Sequence, residues 1–192
     1  MPVDAMEDVV LVDRRGKPIG TAVKSKVHST ETPLHLAFSC YLFNEKGEVL
    51  VTRRALSKIT WAGVWTNSFC GHPAPGEEME DAIRRRAKYE LGVSVESITL
   101  QLSDFSYRAV DASGIVENEI CPVFSATICG DLKPHPDEVI EWAWTAVDDL
   151  ARSVEAAPFA FSPWMKMQLE LLGSRDRGWG CSETRASLSP HE

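Results

Sequence analysis

The sequence predicts an α+β sandwich in which helices cover the faces of a mixed sheet. Segments with strand and helix patterns follow one another in the order strands, helix, strands, helix, which is typical of this architecture. A chain of 192 residues has the size of one domain and can bury a sizeable core. The sequence turns polar and loses its periodicity near its end, so we predict one domain over 1–172 and a polar, mobile tail over 173–192.

The first third of the chain contains two predicted strand pairs. An opening strand, a turn at 16–18 and a second extended piece form the first pair. An apolar strand over 36–43, a turn at 44–47 and a strand from Val49 form the second pair, a hairpin. Residues 56–74 are rich in Trp, Gly and Asn, so we expect an irregular loop held by aromatic packing.

The clearest helix is predicted over 77–91, between a Pro-Gly pair and Gly92, which can end it in the left-handed conformation. An apolar stripe runs along this helix at four-residue spacing, formed by Met79, Ile83 and Ala87. Glu90 falls close to that stripe, where a carboxylate needs a partner. Arg86 one turn earlier, or a metal ion, would supply one.

The rest of the chain returns to strands and ends in a helix. Strands are expected around 98–110, 114–128 and 139–145. A Ser-Pro pair is a favourable cap and first turn, so a helix is predicted from residue 163 to about residue 172.

Composition and charge exclude several classes of protein. The net charge of −8 comes without a basic stripe, which argues against nucleic-acid binding. The N-terminus carries acids where a signal peptide has basic residues, and no apolar run approaches ~18 residues. We therefore expect a cytoplasmic protein without membrane partners. Five cysteines without a C-x-x-C pair argue against a disulfide framework and against a cysteine-type zinc site.

Two short motifs place reactive side chains two residues apart. Glu117 and Glu119 share one face of a predicted strand, roughly 6–7 Å apart along the chain. They are either metal ligands or acid/base groups, or ordinary charges on a solvent-facing edge. Cys70 and His72 project the same way in an extended segment, either as a metal and thiol site or as a buried cysteine beside a satisfied histidine.

Other candidate residues carry weaker signals. Singly, His28 and His35 read as surface histidines, because seven-residue spacing is no standard ligand motif. Basic clusters occur at 51–58 and 84–86. They are either solvated faces or the walls of a phosphate pocket, in which the planar guanidinium of arginine binds two phosphate oxygens at once. Trp164 and Tyr107 are core residues by default, although an indole face turned into a pocket would stabilise a cation.

Five segments in order resemble type 1 isopentenyl-diphosphate isomerase, over about residues 8–170. The matching segments read HLAFSCYLFNEKGEVLVTRRALSK, WAGVWTNSFCGHP, the helix end at 84–92, GIVENEICPVF and FAFSPWM. The resemblance implies a Nudix-like α/β/α sandwich. Several positions fit a degraded Nudix box, namely Gly71, Glu77, Arg85, Glu90, Gly92 and Val93. Arg86 and Tyr89 stand where that box has glutamates, which argues against diphosphate hydrolysis.

The same resemblance implies a role for each candidate residue. A single divalent ion would be bound by His28, His35, His72, Glu117 and Glu119. Cys70 and Glu119 would be the acid/base pair, with Tyr107 hydrogen-bonded to the acid and Trp164 facing the cation. Glu90 and the main-chain carbonyl of Cys70 would hold a Mg²⁺ on the substrate diphosphate. The diphosphate itself would contact Arg54, Lys58 and Arg86.

The implied activity is the interconversion of isopentenyl diphosphate and dimethylallyl diphosphate through a tertiary carbocation. A Nudix-type diphosphohydrolase and a non-catalytic phosphometabolite-binding domain are the alternatives. The ion at the histidine site is Mn²⁺, Zn²⁺ or Mg²⁺ by its donor set. We expect a monomer or weak homodimer whose partner is its small-molecule substrate, isopentenyl or dimethylallyl diphosphate.

Overall fold

The structure is a computed structural model, and it describes residues 8–174. The predicted tail therefore lies outside the described residues, apart from its first two positions. The strands are β1 Asp8–Val12, β2 Pro18–Val23, β3 His35–Leu36, β4 Phe38–Phe43, β5 Val49–Arg54, β6 Trp65–Thr66, β7 Phe69–Gly71, β8 Ser94–Leu102, β9 Ser106–Val110, β10 Val116–Ile120, β11 Val123–Cys129 and β12 Val139–Thr145. The helices are α1 Lys24–Val27, α2 Met79–Leu91, α3 Val147–Ala156 and α4 Pro163–Ser174, with a 3₁₀ turn at Pro158–Ala160. Within this part of the chain, no helix is long and apolar enough to cross a membrane.

Strand β4 shows why helices lie on both sides of the sheet. All six of its residues are buried, and successive side chains of a strand point to opposite faces. Phe38, Cys40 and Leu42 pack against α2 in one core layer. Tyr41 and Phe43, on the other face, pack with α3 and α4 in a second layer. The predicted α/β/α sandwich is confirmed.

Two sheets divide the strands, and both mix parallel with antiparallel pairs. Within residues 8–174 the first sheet has the order β2-β1-β3-β10-β9, and the second has the order β12-β5-β4-β11-β8 with β6 and β7 added at β5 and β4. The pairs β3–β10 and β4–β11 are parallel, whereas the other strand pairs are antiparallel. Adjacent sheets therefore meet where β3 passes into β4 and β10 passes into β11.

Two predicted strands are wrong as single elements. The segment predicted as one strand over 98–110 divides into β8 and β9, which belong to different sheets. The segment 114–128 divides into β10 and β11 at Cys121 and Pro122. Proline has no N–H for a strand ladder, so the chain leaves one sheet at this point and enters the other.

Helix α2 follows the sequence closely. It begins at Met79 and ends at Leu91, and Gly92 closes it with a φ of 71° in the left-handed region. A Cβ on Gly92 would lie 2.8 Å from the carbonyl oxygen of Lys133. Glycine is required here both by its backbone angle and by this close approach.

The sequence prediction missed several elements, among them helices α1 and α3 and strands β6 and β7. Helix α3 buries only Leu150 and Val154, so its apolar stripe is short. Strands β6 and β7 lie inside the segment predicted as an irregular loop, and they are two and three residues long. Strand β7 pairs with β4, so that Cys70 lies opposite Ser39. That pairing fixes the reactive part of the loop to the central sheet.

Candidate active site

One cavity of about 390 Å³ gathers nearly all the residues singled out in the sequence. Its lining includes His28, Arg54, Lys58, Cys70, His72, Arg86, Glu90, Tyr107, Glu117, Glu119 and Trp164. His35 is fully buried and lies behind the wall of this cavity. The residues come from both sheets and from α2 and α4.

At one end of the cavity, three histidines and a glutamate converge. One ligand atom from each of His28, His35, His72 and Glu119 lies within 4.8 Å of the others. The register of the strands positions part of this group. Glu119 on β10 pairs directly with His35 on β3 and, on its other side, with Tyr107 on β9.

The histidine nitrogens fit a divalent metal ion. The Nδ1 atom of His35 donates to the carbonyl oxygen of Pro33 at 2.9 Å, which leaves a lone pair on Nε2. The Nε2 atoms of His28 and His35 are buried without a hydrogen-bond partner among the described residues. Because buried polar atoms are nearly always satisfied, these two indicate a site for a cation. Imidazole and carboxylate donors suit Zn²⁺ or Mn²⁺.

Glu117 lies beside this group and is not one of its four members. Its Oε2 atom is 3.6 Å from Nε2 of His28. Its Oε1 atom accepts a hydrogen bond of 2.6 Å from the hydroxyl of Thr60. Of the five ligands that the resemblance implies, four therefore converge in the structure. The fifth, Glu117, lies beside them in contact with His28.

Tyr107 joins the two carboxylates. Its hydroxyl lies 3.0 Å from Oε2 of Glu119 and 3.3 Å from Oε2 of Glu117, and it can donate to one of them at a time. Burial raises the pKa of Tyr107 well above its usual value, and the charges of the two glutamates add to this effect. The phenol therefore stays protonated as a donor.

The buried histidines and Glu119 shift one another's pKa values in opposite directions. Burial lowers the pKa of His72 to about 4, despite its hydrogen bond of 3.2 Å to Glu119. Burial also opposes charge on His35, but the neighbouring carboxylate of Glu119, whose Oε1 atom lies 3.5 Å from Nε2, raises the pKa of His35 overall. Burial opposes charge on Glu119 too, and its contacts with His35 and His72 outweigh it, so the pKa of Glu119 lies well below its usual value.

Cys70 is held as a thiol by its surroundings. Burial raises the pKa of Cys70 to about 12, although contacts with Ser39 and Asn67 counteract this. The sulfur lies 3.4 Å from the hydroxyl of Ser39 and 3.3 Å from the side-chain oxygen of Asn67. A protonated thiol and an ionised Glu119 therefore face the same cavity.

The opposite end of the cavity is a network of ion pairs. The guanidinium of Arg86 donates to Oε1 of Glu90 at 2.7 and 3.0 Å, and it lies 3.4 Å from Oε1 of Glu138. Lys58 forms an ion pair with the other oxygen of Glu138. Burial raises the pKa of Glu90, which the charge of Arg86 partly offsets. The carboxylate oxygens of Glu90 and Glu138 are of the ligand type that Mg²⁺ prefers.

Trp164 belongs to the core and also lines the cavity. It is only 3% exposed, and its ring packs against those of Trp61 and Tyr107 at centroid distances of 5.4 and 5.8 Å. The guanidinium carbon of Arg54 lies 5.4 Å from the indole centroid. The ring face is therefore already next to a cation in this structure.

Sequence reasoning overlooked several residues of this site, including Glu138 and Asn67. Glu138 precedes β12 in a stretch without a recognisable motif, so nothing local indicated its pairing with Lys58 and Arg86. Asn67 lies within the matched TNSFCGHP motif, and that position was its signal. An amide neither titrates nor binds a metal readily, so its residue type alone indicates no function.

Comparison with known proteins agrees with this architecture. A NUDIX domain model matches residues 33–165. A Deinococcus radiodurans protein of known structure aligns with a TM-score of 0.67 at 19% identity, covering 86% of this chain and 99% of that one. A MutT protein from Methanosarcina mazei aligns with a TM-score of 0.60 at 22% identity, covering 78% and 99%. These two structures support the fold alone.

Relatives of much higher identity carry one name. An isopentenyl-diphosphate Delta-isomerase of Paenarthrobacter aurescens is 59% identical over 88% of this chain and 92% of its own length. An isomerase of the same name from Clavibacter michiganensis is 57% identical over 95% of both chains. Matches of this extent show the family. The chain has a NUDIX domain and belongs to the isopentenyl-diphosphate Delta-isomerases.

Proposed function

We propose that this protein interconverts isopentenyl diphosphate and dimethylallyl diphosphate, and that Cys70 and Glu119 move the protons. The observation that carries this proposal is that a thiol and a carboxylate of opposite protonation state line one cavity. One group adds a proton to the terminal alkene carbon, and the electron pair of the double bond forms the new C–H bond. The other group removes a proton from the carbon next to the cation, and that C–H electron pair becomes the new double bond.

The intermediate is a tertiary carbocation, and Trp164 stabilises it. An aromatic face attracts positive charge, for about 2 kcal/mol or more in a dry site, without acting as a nucleophile that traps the cation. The burial of Trp164 and its position on the cavity lining support this role.

The four converging residues would hold one divalent ion, with Glu117 in contact. When bound, that ion supplies positive charge that fixes the orientation of Glu119 and tunes its basicity. Tyr107 donates its hydroxyl hydrogen to Glu119 and so restricts the carboxylate to one orientation.

The ion-pair end of the cavity binds the diphosphate. Arg54, Lys58 and Arg86 provide the positive charge that an acidic protein needs locally. Glu90, with the main-chain carbonyl of Cys70, would hold a Mg²⁺ that neutralises the remaining phosphate charge.

A diphosphohydrolase is the competing function, because it shares the fold and the phosphate site. Arg86 and Tyr89 occupy positions where Nudix hydrolases have metal-binding glutamates, and this favours isomerisation. Incubation with isopentenyl diphosphate and Mg²⁺ distinguishes the functions. We expect dimethylallyl diphosphate as the product; release of phosphate would indicate a hydrolase, and binding without turnover would indicate a non-catalytic domain.

We further propose that the enzyme works in the cytoplasm as a monomer or weak homodimer, with residues 1–172 forming its one domain. The composition of the chain, 44% hydrophobic and 25% charged, supports the first point. Sedimentation of the purified protein at several concentrations would test the second.

A further inference from the structure

Asn67 is buried at the back of the reactive wall. Its side chain has no exposed surface, and it is absent from the lining of the cavity. It lies between β6 and β7, three residues before Cys70. A polar side chain in such a position must have its hydrogen bonds satisfied, so each of its contacts is informative.

The orientation of the Asn67 amide is fixed by two backbone carbonyls. Its nitrogen donates to the carbonyl oxygen of Phe69 at 2.8 Å and to that of Cys40 at 3.1 Å. Carbonyl oxygens only accept, so the amide group must present its NH₂ to them. A flipped amide would place oxygen against two oxygens. The side-chain oxygen therefore points the other way.

That oxygen lies between two residues of the reaction. It accepts a hydrogen bond of 3.0 Å from the indole Nε1 of Trp164. It also lies 3.3 Å from the sulfur of Cys70, whose thiol hydrogen it can accept, and the amide nitrogen is at the same distance from that sulfur. The hydroxyl of Thr66 donates to the same oxygen at 3.0 Å. Trp164 comes from α4 and Cys70 from β7, so a single atom links two separate elements that face the substrate.

We propose that Asn67 is a positioning residue that fixes the Trp164 ring and the Cys70 thiol relative to each other. This inference rests on the proposed isomerase function. Since the cation forms on the carbon next to the one that receives the proton, the aromatic face and the thiol must keep one mutual geometry. A displacement of about 1 Å at a reacting group can cost about 10²-fold in rate. Loss of the Asn67 side chain should therefore lower kcat with little change in KM.

The test compares Asn67→Ala with Ser68→Ala. Ser68 is equally buried, and its hydroxyl bonds only to backbone, accepting from the N–H of Leu42 and donating to the carbonyl of Leu50, both at 2.7 Å. Both variants lose buried hydrogen bonds, so both should lower Tm. Only Asn67→Ala should reduce kcat, by about 10²-fold. Equal kcat values for the two variants would overturn the proposal.

A second measurement does not depend on activity. The indole N–H signal of Trp164 in a ¹⁵N–¹H NMR spectrum is the one that disappears in Trp164→Phe. In Asn67→Ala this signal should shift and exchange faster with solvent, whereas Ser68→Ala should leave it unchanged. An unmoved signal in Asn67→Ala would refute the link. If the wild type fails to isomerise but the signal moves, the proposed function is wrong and the contact stands.

A double-mutant comparison isolates the Trp164 part of the effect. In a Trp164→Phe background the indole donor is gone, so the Asn67→Ala change should reduce kcat by a smaller factor than in the wild type. An equal factor in both backgrounds would mean that Asn67 does not act through Trp164. Should Asn67→Ala fail to fold, Asn67→Ser provides the same comparison, because its hydroxyl can serve one carbonyl but is too short to reach the indole.

Discussion

The two ends of the cavity differ in how their charged and polar groups are satisfied. At the metal end, which is formed by the three histidines and Glu119, His28 and His35 have buried nitrogens without hydrogen-bond partners among residues 8–174. At the phosphate end, where the ion-pair network lies, Lys58 and Arg86 already face Glu90 and Glu138. One end presents nitrogen atoms that no hydrogen bond occupies. The other would have to exchange internal ion pairs for contacts with its ligand, so the proposed substrate would compete there with the protein's own carboxylates.

The largest expected effect concerns Cys70 and Glu119, the two proposed proton-transfer groups near the metal end. Cys70→Ala and Glu119→Gln should each remove nearly all isomerase activity. General acid–base groups contribute about 10²–10⁴-fold, and alkene protonation without a substitute acid should lie at the upper limit. Steady-state turnover of isopentenyl diphosphate measures the loss.

Controls separate chemistry from folding in these variants. Cys129 is an exposed free cysteine, so Cys129→Ala should keep full turnover. Circular dichroism should show an intact fold for every variant. Near-wild-type turnover in Cys70→Ala or Glu119→Gln would refute the acid/base assignment.

At the phosphate end, Arg86→Gln should destabilise the protein and raise KM. Arg86 is 3% exposed, and its removal leaves Glu90 and Glu138 buried without their shared cation. Breaking a buried pair in this way costs about 3–5 kcal/mol in the free energy of unfolding. Urea unfolding and substrate titration give the two quantities.

The neighbouring Arg84 is the matched control for Arg86. It pairs with Glu80 on the surface, where both side chains are about half exposed, and it donates to the carbonyl oxygen of Val95 at 2.8 Å. Such pairs contribute about 0–1 kcal/mol. If Arg84→Gln and Arg86→Gln lose equal stability and affinity, the phosphate end does not depend on its buried pairs.

Between the two ends, the Trp164 ring should contribute an intermediate effect. Trp164→Phe keeps an aromatic face and should retain part of the activity. Trp164→Leu has no such face and should lose about 2 kcal/mol of cation stabilisation, roughly 30-fold in kcat. Thermal unfolding of both variants shows how much of the lost turnover comes from weakened packing and not from the missing ring face. Equal turnover would show that Trp164 only fills space.

The smallest effect is the pH dependence of metal affinity. The pKa of His35 is raised, so in the metal-free protein a proton occupies its ring at pH values below that pKa. The pKa of His72 is about 4, so this residue is already neutral above pH 5. The proton on His35 then competes with the metal, and this proton alone should lower the affinity by about tenfold per pH unit below the His35 pKa. Calorimetric titration of Zn²⁺ or Mn²⁺ at pH 6 and pH 8 checks this; equal affinities would contradict it.

The sequence predicts best those elements whose signals are local. Helix α2 has its stripe, its acids and Gly92 within one segment, and its ends differ from the prediction by two residues at most. The break at Cys121 and Pro122 was missed because its reason is the separation of two sheets, which no local pattern records. Strand β7 likewise exists only through its pairing with β4.

The same distinction applies to the cavity. Residue types in the matched motifs predicted which side chains lie together, and all but His35 line the cavity. Glu138 could not be predicted, because its partners Lys58 and Arg86 are 80 and 52 residues away along the chain. Charge pairing over such distances depends on the completed fold.

The register of Glu119 makes metal binding a reporter of strand pairing. His35, Glu119 and Tyr107 occupy one rung across β3, β10 and β9. A slip of one residue in β10 would turn Glu119 to the opposite face and bring Asn118 or Ile120 into the rung. A spectroscopically active ion such as Co²⁺ would then lose a ligand, and its absorption would change. Refolded or redesigned chains could be screened for correct assembly by colour, before any substrate is added.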